Sequence, residues 1–192
     1  MKRTRVAIQS ADGSNAKKLH ALITTNLEEG HLLPRALDEI ATHADRFVIG
    51  VRGRKIVGCA ELAPLSQHVA EVRSLVVDRS ERGNGIGTLL VDELRRRARR
   101  DGFEKLCAFT HAPAYFIGKG FSIVPHLWLL EKLFTDCVSC PLFRRCGQYA
   151  MVVPLDEATS RPMADDHDKV LDVAVNSGAG REILPLAVVR YV

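Results

Sequence analysis

Three glycines at every second position, Gly83, Gly85 and Gly87, lie between a predicted strand and a predicted helix. The strand is the apolar run "EVRSLVVD", and the helix is indicated by apolar residues spaced three or four apart from Ile86 onward. The first amides of a helix have no partner within it, and glycines let a ligand approach them closely. This arrangement predicts a phosphate-binding site at the start of the helix.

Two common phosphate-binding motifs do not fit this spacing. A nucleotide phosphate loop needs Lys followed by Ser or Thr after its last glycine, whereas Thr88 and Leu89 follow Gly87. A dinucleotide fingerprint needs a further glycine three places after Gly85, where Thr88 stands, and it follows a βαβ unit, which the preceding strands do not form.

The surrounding pattern predicts one mixed α/β domain. A strand and a helix come first, then a hairpin with Gly53 in its turn and the strand "VAEVRSLVVD" form an antiparallel meander. A helix ending at Gly102, three strands ("EKLCAFT", "FSIVP" and "QYAMVVPL") and a short helix stopped by Gly120 follow, with an irregular insertion over 126–147. Residues 156–192 are first polar and then apolar, which predicts a linker and a C-terminal arm.

Composition excludes several classes of function. The chain has 46% hydrophobic and 26% charged residues, a net charge of +4 and no apolar run long enough for a membrane span. We expect a cytoplasmic protein without nucleic-acid or membrane partners, and a solvated helix face at 95–100. Five cysteines are an odd number, so a disulfide framework is not expected, and neither is a metal. Cys59 and Cys107 are expected in the core, and Cys137, Cys140 and Cys146 as reduced thiols, with a zinc site left as an alternative.

The segment from Arg82 to Gly87 resembles the coenzyme A pyrophosphate motif, Arg/Gln-x-x-Gly-x-Gly/Ala, of the GNAT N-acetyltransferases. Over about residues 4–155, the stretches "GHLLPRALDEI", "IVGCAEL", "AEVRSLVV", "FIGKGF" and the cysteine-bearing insertion look like the acetyltransferase domain of short-form bacterial N-acetylglutamate synthases. This resemblance implies a GNAT fold over residues 1–155, a mostly antiparallel twisted sheet of six to seven strands, splayed at the fourth strand, with about four helices. It also implies acetyl transfer from acetyl-CoA to the α-amino group of L-glutamate in a ternary complex.

The resemblance assigns the coenzyme site to the splayed strand and the glycine segment. Backbone groups of Leu75, Val76 and Val77 would hold the pantetheine arm, and amides at the helix start would hold the pyrophosphate, with a charge contact from Arg82. The complete set of implied coenzyme residues is Leu75, Val76, Val77, Arg82, Gly83, Asn84, Gly85, Ile86, Gly87, Thr88 and Phe116.

Catalysis is assigned to the same strand. Period-two alternation puts Glu71, Arg73, Leu75 and Val77 on one face unless a bulge intervenes. Glu71 matches a position at which some GNAT enzymes have a general base, and a charge partner of Arg73 is the alternative interpretation. The N–H of Val77, or of Val76, is the implied oxyanion donor.

The general acid is not identified, because Phe116 stands where many GNAT enzymes have Tyr and Tyr115 is expected on another helix face. Arg35, Arg73 and Ser74 are the predicted acceptor-binding residues, since guanidinium groups suit the two carboxylates of glutamate. Lys132 is a weaker candidate.

Several alternatives stay open. His111 is a second possible proton acceptor or a loop cap, and Trp128 and Phe134 are expected to pack the insertion down. The acceptor could instead be another amino acid, a polyamine or a peptide N-terminus, or the protein could be a weakly catalytic acetyl-CoA sensor. A homodimer is compatible with the sequence.

Overall fold

The computed structural model describes residues 5–27 and 32–155, which form a mixed α/β fold. The predicted linker and arm over 156–192 lie outside the described residues. The helices and strands in chain order are β1 (Ala7–Ser10), α1 (Ala16–Thr25), α2 (Leu37–Thr42), β2 (Phe47–Arg52), β3 (Lys55–Pro64), β4 (Val69–Val77), α3 (Ile86–Arg100), β5 (Lys105–Thr110), α4 (Pro113–Ile117), β6 (Ser122–Val124), α5 (Leu130–Lys132) and β7 (Tyr149–Pro154).

The strands form one open sheet of seven in the order β1-β2-β3-β4-β5-β7-β6. Every neighbouring pair is antiparallel except β4 and β5. These two strands pair only where Val69–Glu71 lies beside Lys105–Cys107, although β4 continues to Val77. The predicted splay at the fourth strand is confirmed, and it leaves the end of β4 unpaired on the β5 side.

A bulge in β4 changes which side chains share a face. Glu61 of β3 pairs with Arg73, but Cys59, two residues earlier, pairs with Val76, so β4 contains one extra residue. Ser74 lies in this bulge with a φ of 50°, in the left-handed region. This is the bulge that the alternation of Glu71, Arg73, Leu75 and Val77 left as an exception. It puts Leu75 and Val77 on the opposite side of the sheet from Glu71 and Arg73.

The two faces of the sheet are covered by different helices. On one face, α3 packs through its buried stripe of Ile86, Leu90 and Leu94, and the predicted helical spacing is confirmed. On the other face, α1 packs through Leu19 and Ile23 in a second cluster. None of the helices within 5–27 and 32–155 has the length and hydropathy of a membrane span.

The basic run at the end of α3 is only partly a solvated face, so that prediction needs correction. Arg97 is 7% exposed, and its Nη2 donates a hydrogen bond to the Ser10 hydroxyl at 2.8 Å. The Arg95 guanidinium lies 5.6 Å from the centre of the Phe121 ring, and Arg99 Nε donates to the Leu155 carbonyl at 3.0 Å. These arginines connect α3 to Ser10 in β1, to Phe121 after α4 and to Leu155 after β7, because their long side chains span the distance.

Candidate active site

The glycine segment forms an open loop directly before α3. Gly83 and Gly85 have φ values of 77° and 75°, in the left-handed region that favours glycine. A Cβ added to either would meet no atom of the described residues within 4 Å, so both face open space. The first intrahelical bond runs from the Leu89 amide to the Gly85 carbonyl at 3.1 Å, which leaves the amides before Leu89 without partners within the helix.

Local hydrogen bonds fix the entry to this loop. Asp78 accepts from the Ser80 amide at 3.0 Å and from Lys55 Nζ at 2.6 Å. The hydrogen bond from Lys55, followed by those from Ser80, lowers the pKa of Asp78 to about 2. The Asn84 side-chain amide donates to the Glu81 carbonyl at 3.0 Å, so the predicted coenzyme residue Asn84 also shapes the loop.

Arg82 connects the loop to α1. Its Nε donates to the Val77 carbonyl at 3.0 Å, and its Nη2 donates to the Asn26 side-chain oxygen at 2.8 Å. Asn26 is only 4% exposed and anchors the end of α1 through a hydrogen bond to the Leu22 carbonyl. The structure thus adds a bracing role for Arg82, and its contact with a pyrophosphate stays a prediction.

The ring of Phe116 lies in the core, whereas the ring of Tyr115 lies against the glycine segment. Phe116 is 6% exposed and makes edge contacts with Tyr115 and Phe121 at 5.1 Å between ring centres. The Tyr115 hydroxyl is buried next to Gly87. A Cβ added to Gly87 would lie 3.1 Å from the hydroxyl oxygen. The two rings thus lie on different faces of the short helix, as expected, and the general acid stays unassigned. Burial, together with the charge of Asp92, raises the pKa of Tyr115 to about 12, so the hydroxyl stays protonated at neutral pH.

The closeness of Gly87 and Tyr115 gives a testable coupling. An alanine at position 87 would place its Cβ 3.1 Å from the hydroxyl oxygen but 3.7 Å from the ring carbon that carries it. In the Tyr115→Phe protein, Gly87→Ala should therefore raise the free energy of unfolding by about 1 kcal/mol, because alanine has a higher helix propensity than glycine. In the wild type it should raise this free energy by clearly less, because the new Cβ crowds the hydroxyl. Chemical denaturation of the wild type, the two single variants and the double variant measures this difference. If the effects of the two substitutions on the free energy of unfolding simply add, the coupling is contradicted.

The first group of charges beside the splayed strand is the Arg35 cluster, made of Arg35, Glu39, Glu61 and Ser74. Arg35 Nη1 donates to Glu61 Oε2 at 2.7 Å and to the Ser74 hydroxyl at 3.0 Å. Its Nε donates to Glu39 Oε2 at 3.0 Å. The side chains of Arg35 and Glu61 are 8% and 1% exposed, so this ion pair is buried. Arg35 thereby holds the bulge residue Ser74 in place.

The second group is the Arg73 cluster, made of Glu71, Arg73, Lys132 and Asp136. Arg73 Nε and Nη2 donate to Glu71 Oε2 at 3.1 and 2.8 Å, and Lys132 Nζ lies 2.9 and 2.8 Å from the two Glu71 oxygens. Asp136 Oδ2 accepts from Arg73 Nη2 at 2.5 Å and from Lys132 Nζ at 2.7 Å. The Arg73 cluster thus ties the insertion to β4. The predicted role of Glu71 as general base stays a prediction.

The two clusters are close enough to interact. Glu61 lies opposite Arg73 on the neighbouring strand, and the charge of Arg35 helps to lower the pKa of Asp136. The predicted acceptor residues Arg35, Arg73 and Ser74 are therefore brought together at one end of the splay.

Sequence reasoning missed the carboxylates that pair with these cations. Glu61 was detectable, because a lone charge inside the apolar strand "IVGCAEL" must have a buried partner. Glu39 and Asp136 gave no such signal, since acidic residues on a short helix and in an irregular segment are ordinary surface residues.

The cysteines form no ligand set in the part of the chain that is described. All five are free, and Cys59 and Cys107 are buried as predicted. Residues 5–27 and 32–155 contain no group of three or more His, Cys, Asp or Glu side chains that could hold a metal ion. His111 lies against Gly147, 3.6 Å from where a Cβ on that glycine would be, and its role in proton transfer stays a prediction.

Trp128 and Phe134 do not pack the insertion down. Their side chains are 71% and 73% exposed, so the prediction that they bury against the domain is wrong. The insertion is fastened by Leu129, which is 1% exposed, and by the charges of the Arg73 cluster.

Comparison with known protein families decides the class of this molecule. The model of the family described as "Acetyltransferase (GNAT) family" matches residues 16–115, which is more than half of the chain. The chain belongs to the acetyltransferase (GNAT) family. This GNAT protein is an acyltransferase with acetyl-CoA as its acetyl donor, and the seven-stranded sheet splayed at β4 is its GNAT fold.

Individual relatives are consistent with this assignment. An uncharacterized N-acetyltransferase of Chlorobaculum tepidum is 26% identical over 148 residues, which are 77% of this chain and 96% of the relative. An amino-acid acetyltransferase of Mycobacterium tuberculosis is 31% identical over 97 residues, 50% of this chain and 52% of the relative. The N-acetylglutamate synthase of Neisseria gonorrhoeae, solved with coenzyme A and N-acetyl-glutamate, superposes with a TM-score of 0.72 at 25% identity. That match covers 81% of this GNAT chain and 36% of the synthase chain.

Proposed function

We propose that this GNAT enzyme transfers the acetyl group of acetyl-CoA to the α-amino group of L-glutamate by direct attack in a ternary complex. The observation that carries the proposal is the placement of two guanidinium groups next to the bulge at Ser74: Arg35 donates to the Ser74 hydroxyl, and Arg73 directly precedes Ser74 in β4. Glutamate has two carboxylates to recognise, and guanidinium groups bind carboxylates through paired hydrogen bonds. The similarity to the Neisseria synthase supports the same acceptor.

The donor is proposed to lie along the splay and across the glycine segment. The pyrophosphate would accept hydrogen bonds from the amides of Gly85, Gly87 and Thr88, where the open space beside Gly83 and Gly85 leaves room for it. The pantetheine arm would then run beside Leu75, Val76 and Val77, where β4 no longer pairs with β5. Tyr115 adds a protonated hydroxyl at the first turn of α3.

The acceptor is proposed to lie on the side of the sheet that carries Glu71 and Arg73. Arg35 Nη2 lies 2.8 Å from Glu39 Oε1 but makes no hydrogen bond of good geometry within the described residues. This nitrogen is buried beneath Glu39, whose side chain is 42% exposed, so a ligand carboxylate would bind it by displacing Glu39. Ser74 would add a hydroxyl at the same place.

The reaction would take place where the bound acceptor meets the acetyl group of the donor. The neutral amine would attack the thioester carbonyl, and the Val77 N–H would stabilise the oxyanion. A C–N bond would form as the C–S bond breaks, and CoA would leave as the thiolate. The amine proton would pass to Glu71 directly or through water. Hydrogen bonds from Arg73 and Lys132 fix the position of the Glu71 carboxylate at this side of the sheet.

The carboxylates of the two clusters favour a second candidate function. Four of them, Glu39, Glu61, Glu71 and Asp136, accompany three cations, so the site without ligand has one excess negative charge. An excess of negative charge attracts cationic acceptors, and this favours acetylation of a polyamine.

An acceptor panel separates the two candidates. The purified full chain is incubated with acetyl-CoA and, separately, with L-glutamate, L-glutamine, other amino acids and spermidine, while release of the CoA thiol is followed. We expect kcat/KM for L-glutamate to exceed that for L-glutamine by about 100-fold or more, because the amide cannot pair with a guanidinium as a carboxylate does. A preference for spermidine would favour the second candidate, and equal rates for all amino acids would contradict the first.

A further inference from the structure

The outer part of the Arg73 cluster has the chemistry of an occupied ligand site. We infer that Arg73 Nη2 and Lys132 Nζ form a subsite for one carboxylate of the acceptor, and that Asp136 occupies this subsite in the free enzyme. The inference rests on the proposed function in one respect, namely that the acceptor carries a carboxylate.

A single oxygen of Asp136 satisfies both cations. Oδ2 lies 2.5 Å from Arg73 Nη2 and 2.7 Å from Lys132 Nζ. A carboxylate oxygen between a guanidinium and an ammonium group is the contact that a bound substrate carboxylate would make at the same place. The two cations do not depend on Asp136 for their position, because Glu71 accepts hydrogen bonds from both of them.

Exposure identifies Asp136 as the exchangeable member. The side chains are 5% exposed for Glu71, 13% for Lys132, 25% for Arg73 and 34% for Asp136. The order runs from the buried strand outward, so Asp136 lies nearest to solvent. A carboxylate that arrives from solution can replace it without disturbing the buried ion pairs of Glu71.

The backbone that carries Asp136 has little packing to hold it. No residue from Leu130 to Gly147 is buried, and the nearest buried residue is Leu129. Segments with few buried apolar contacts open at low cost in free energy. Lys132 is closer to Leu129 and is held by two contacts to Glu71, so Asp136 can move away while Lys132 stays.

Charge explains why Asp136 competes with an acceptor. Burial raises the pKa of Asp136, but the hydrogen bond and charge of Lys132 and the charge of Arg73 outweigh it, so the pKa is lowered and the group is ionised at neutral pH. With Asp136 withdrawn, Glu71 is the carboxylate of the Arg73 cluster that still pairs with Arg73 and Lys132, and this cluster has one excess positive charge. An acceptor carboxylate restores neutrality, and its apparent affinity is reduced by the fraction of molecules in which Asp136 holds the subsite.

The test uses glutarate, a dicarboxylate without an amine, titrated calorimetrically into the full chain saturated with CoA. Asp136→Asn should bind glutarate about fivefold more tightly than wild type, because the competing charge is lost. Lys132→Met should bind it more weakly than wild type. Glu131→Gln removes the same charge from the neighbouring turn of the insertion without touching the Arg73 cluster, and it should bind like wild type. Thermal melts confirm that each variant is folded, and Asp136→Ala serves as a second variant.

Each outcome bears on one claim. Equal or weaker binding of glutarate by both Asp136 variants, or no measurable binding by any protein, would overturn the subsite. Turnover of L-glutamate is measured separately on the same proteins. If wild type does not acetylate L-glutamate but Asp136→Asn still binds glutarate more tightly, the proposed function fails while the subsite stands.

Discussion

Gly85→Asp should raise the Kd for CoA by about 100-fold, which corresponds to the loss of two charge-assisted hydrogen bonds and the addition of a repelling charge. The aspartate would lie at the N-cap of α3, in the open space beside the first amides of the helix. Its carboxylate would take the hydrogen bonds that a pyrophosphate needs and would repel the phosphates. Isothermal titration of CoA into wild type and variant measures the effect.

The positive φ of Gly85 costs an aspartate some strain, but the fold should tolerate the substitution, because aspartate enters the left-handed region more readily than most residues and the space around Gly85 is open. Gly53→Asp is the matched control. Gly53 also has a positive φ, of 63°, and open space around it, but it lies in the turn between β2 and β3. The control should bind CoA like wild type. If the folded Gly85→Asp variant binds CoA as tightly as wild type, or the folded Gly53→Asp control loses CoA binding to the same extent, the assignment of the loop to the coenzyme is contradicted.

The order of elements was predictable because hydrophobic periodicity acts locally. The switch from period two in β4 to helical spacing after Ile86 marks the start of α3, and Gly102 and Gly120 both have positive φ values just after the helices that they were predicted to end. The prediction that a ligand approaches the glycine segment rests on the same local information.

The bulge at Ser74 was not predictable from the sequence. Serine has no particular preference for a φ of 50°, and nothing in "EVRSLVV" marks the extra residue. The conformation is stabilised from a distance by Arg35, whose Nη1 donates to the Ser74 hydroxyl. Because alternation along a strand assumes regular pairing, one such residue moves every later side chain to the other face.

The partners of the predicted cations also depended on tertiary structure. Arg73 and its neighbour Glu71 could be paired from the sequence, but Asp136 lies 63 residues away along the chain from Arg73 and approaches only through the fold of the insertion. Tyr115 is a similar case. Its helix, α4, has five residues, so its orientation is set by the edge contact with Phe116 and not by a repeating pattern.

Arg35→Met should lower the free energy of unfolding by about 3 kcal/mol, because it leaves a buried carboxylate without its counterion. Glu61 is 1% exposed, and the Arg35 guanidinium is its partner at 2.7 Å. Urea denaturation measures the change. Glu39→Gln is the matched control, since the Glu39 side chain is 42% exposed and removal of an exposed partner costs less than about 1 kcal/mol.

The double variant Arg35→Met/Glu61→Leu separates stability from acceptor binding. Replacing both members of a buried ion pair by apolar side chains is often neutral, so most of the lost stability should return. Transfer to L-glutamate should not return: kcat/KM for the acceptor should stay about 100-fold below wild type, since no guanidinium is left at this position to bind a carboxylate. The Kd for CoA should be unchanged. If the double variant regains full activity, Arg35 only neutralises Glu61, and acceptor recognition then depends on Arg73 and Lys132.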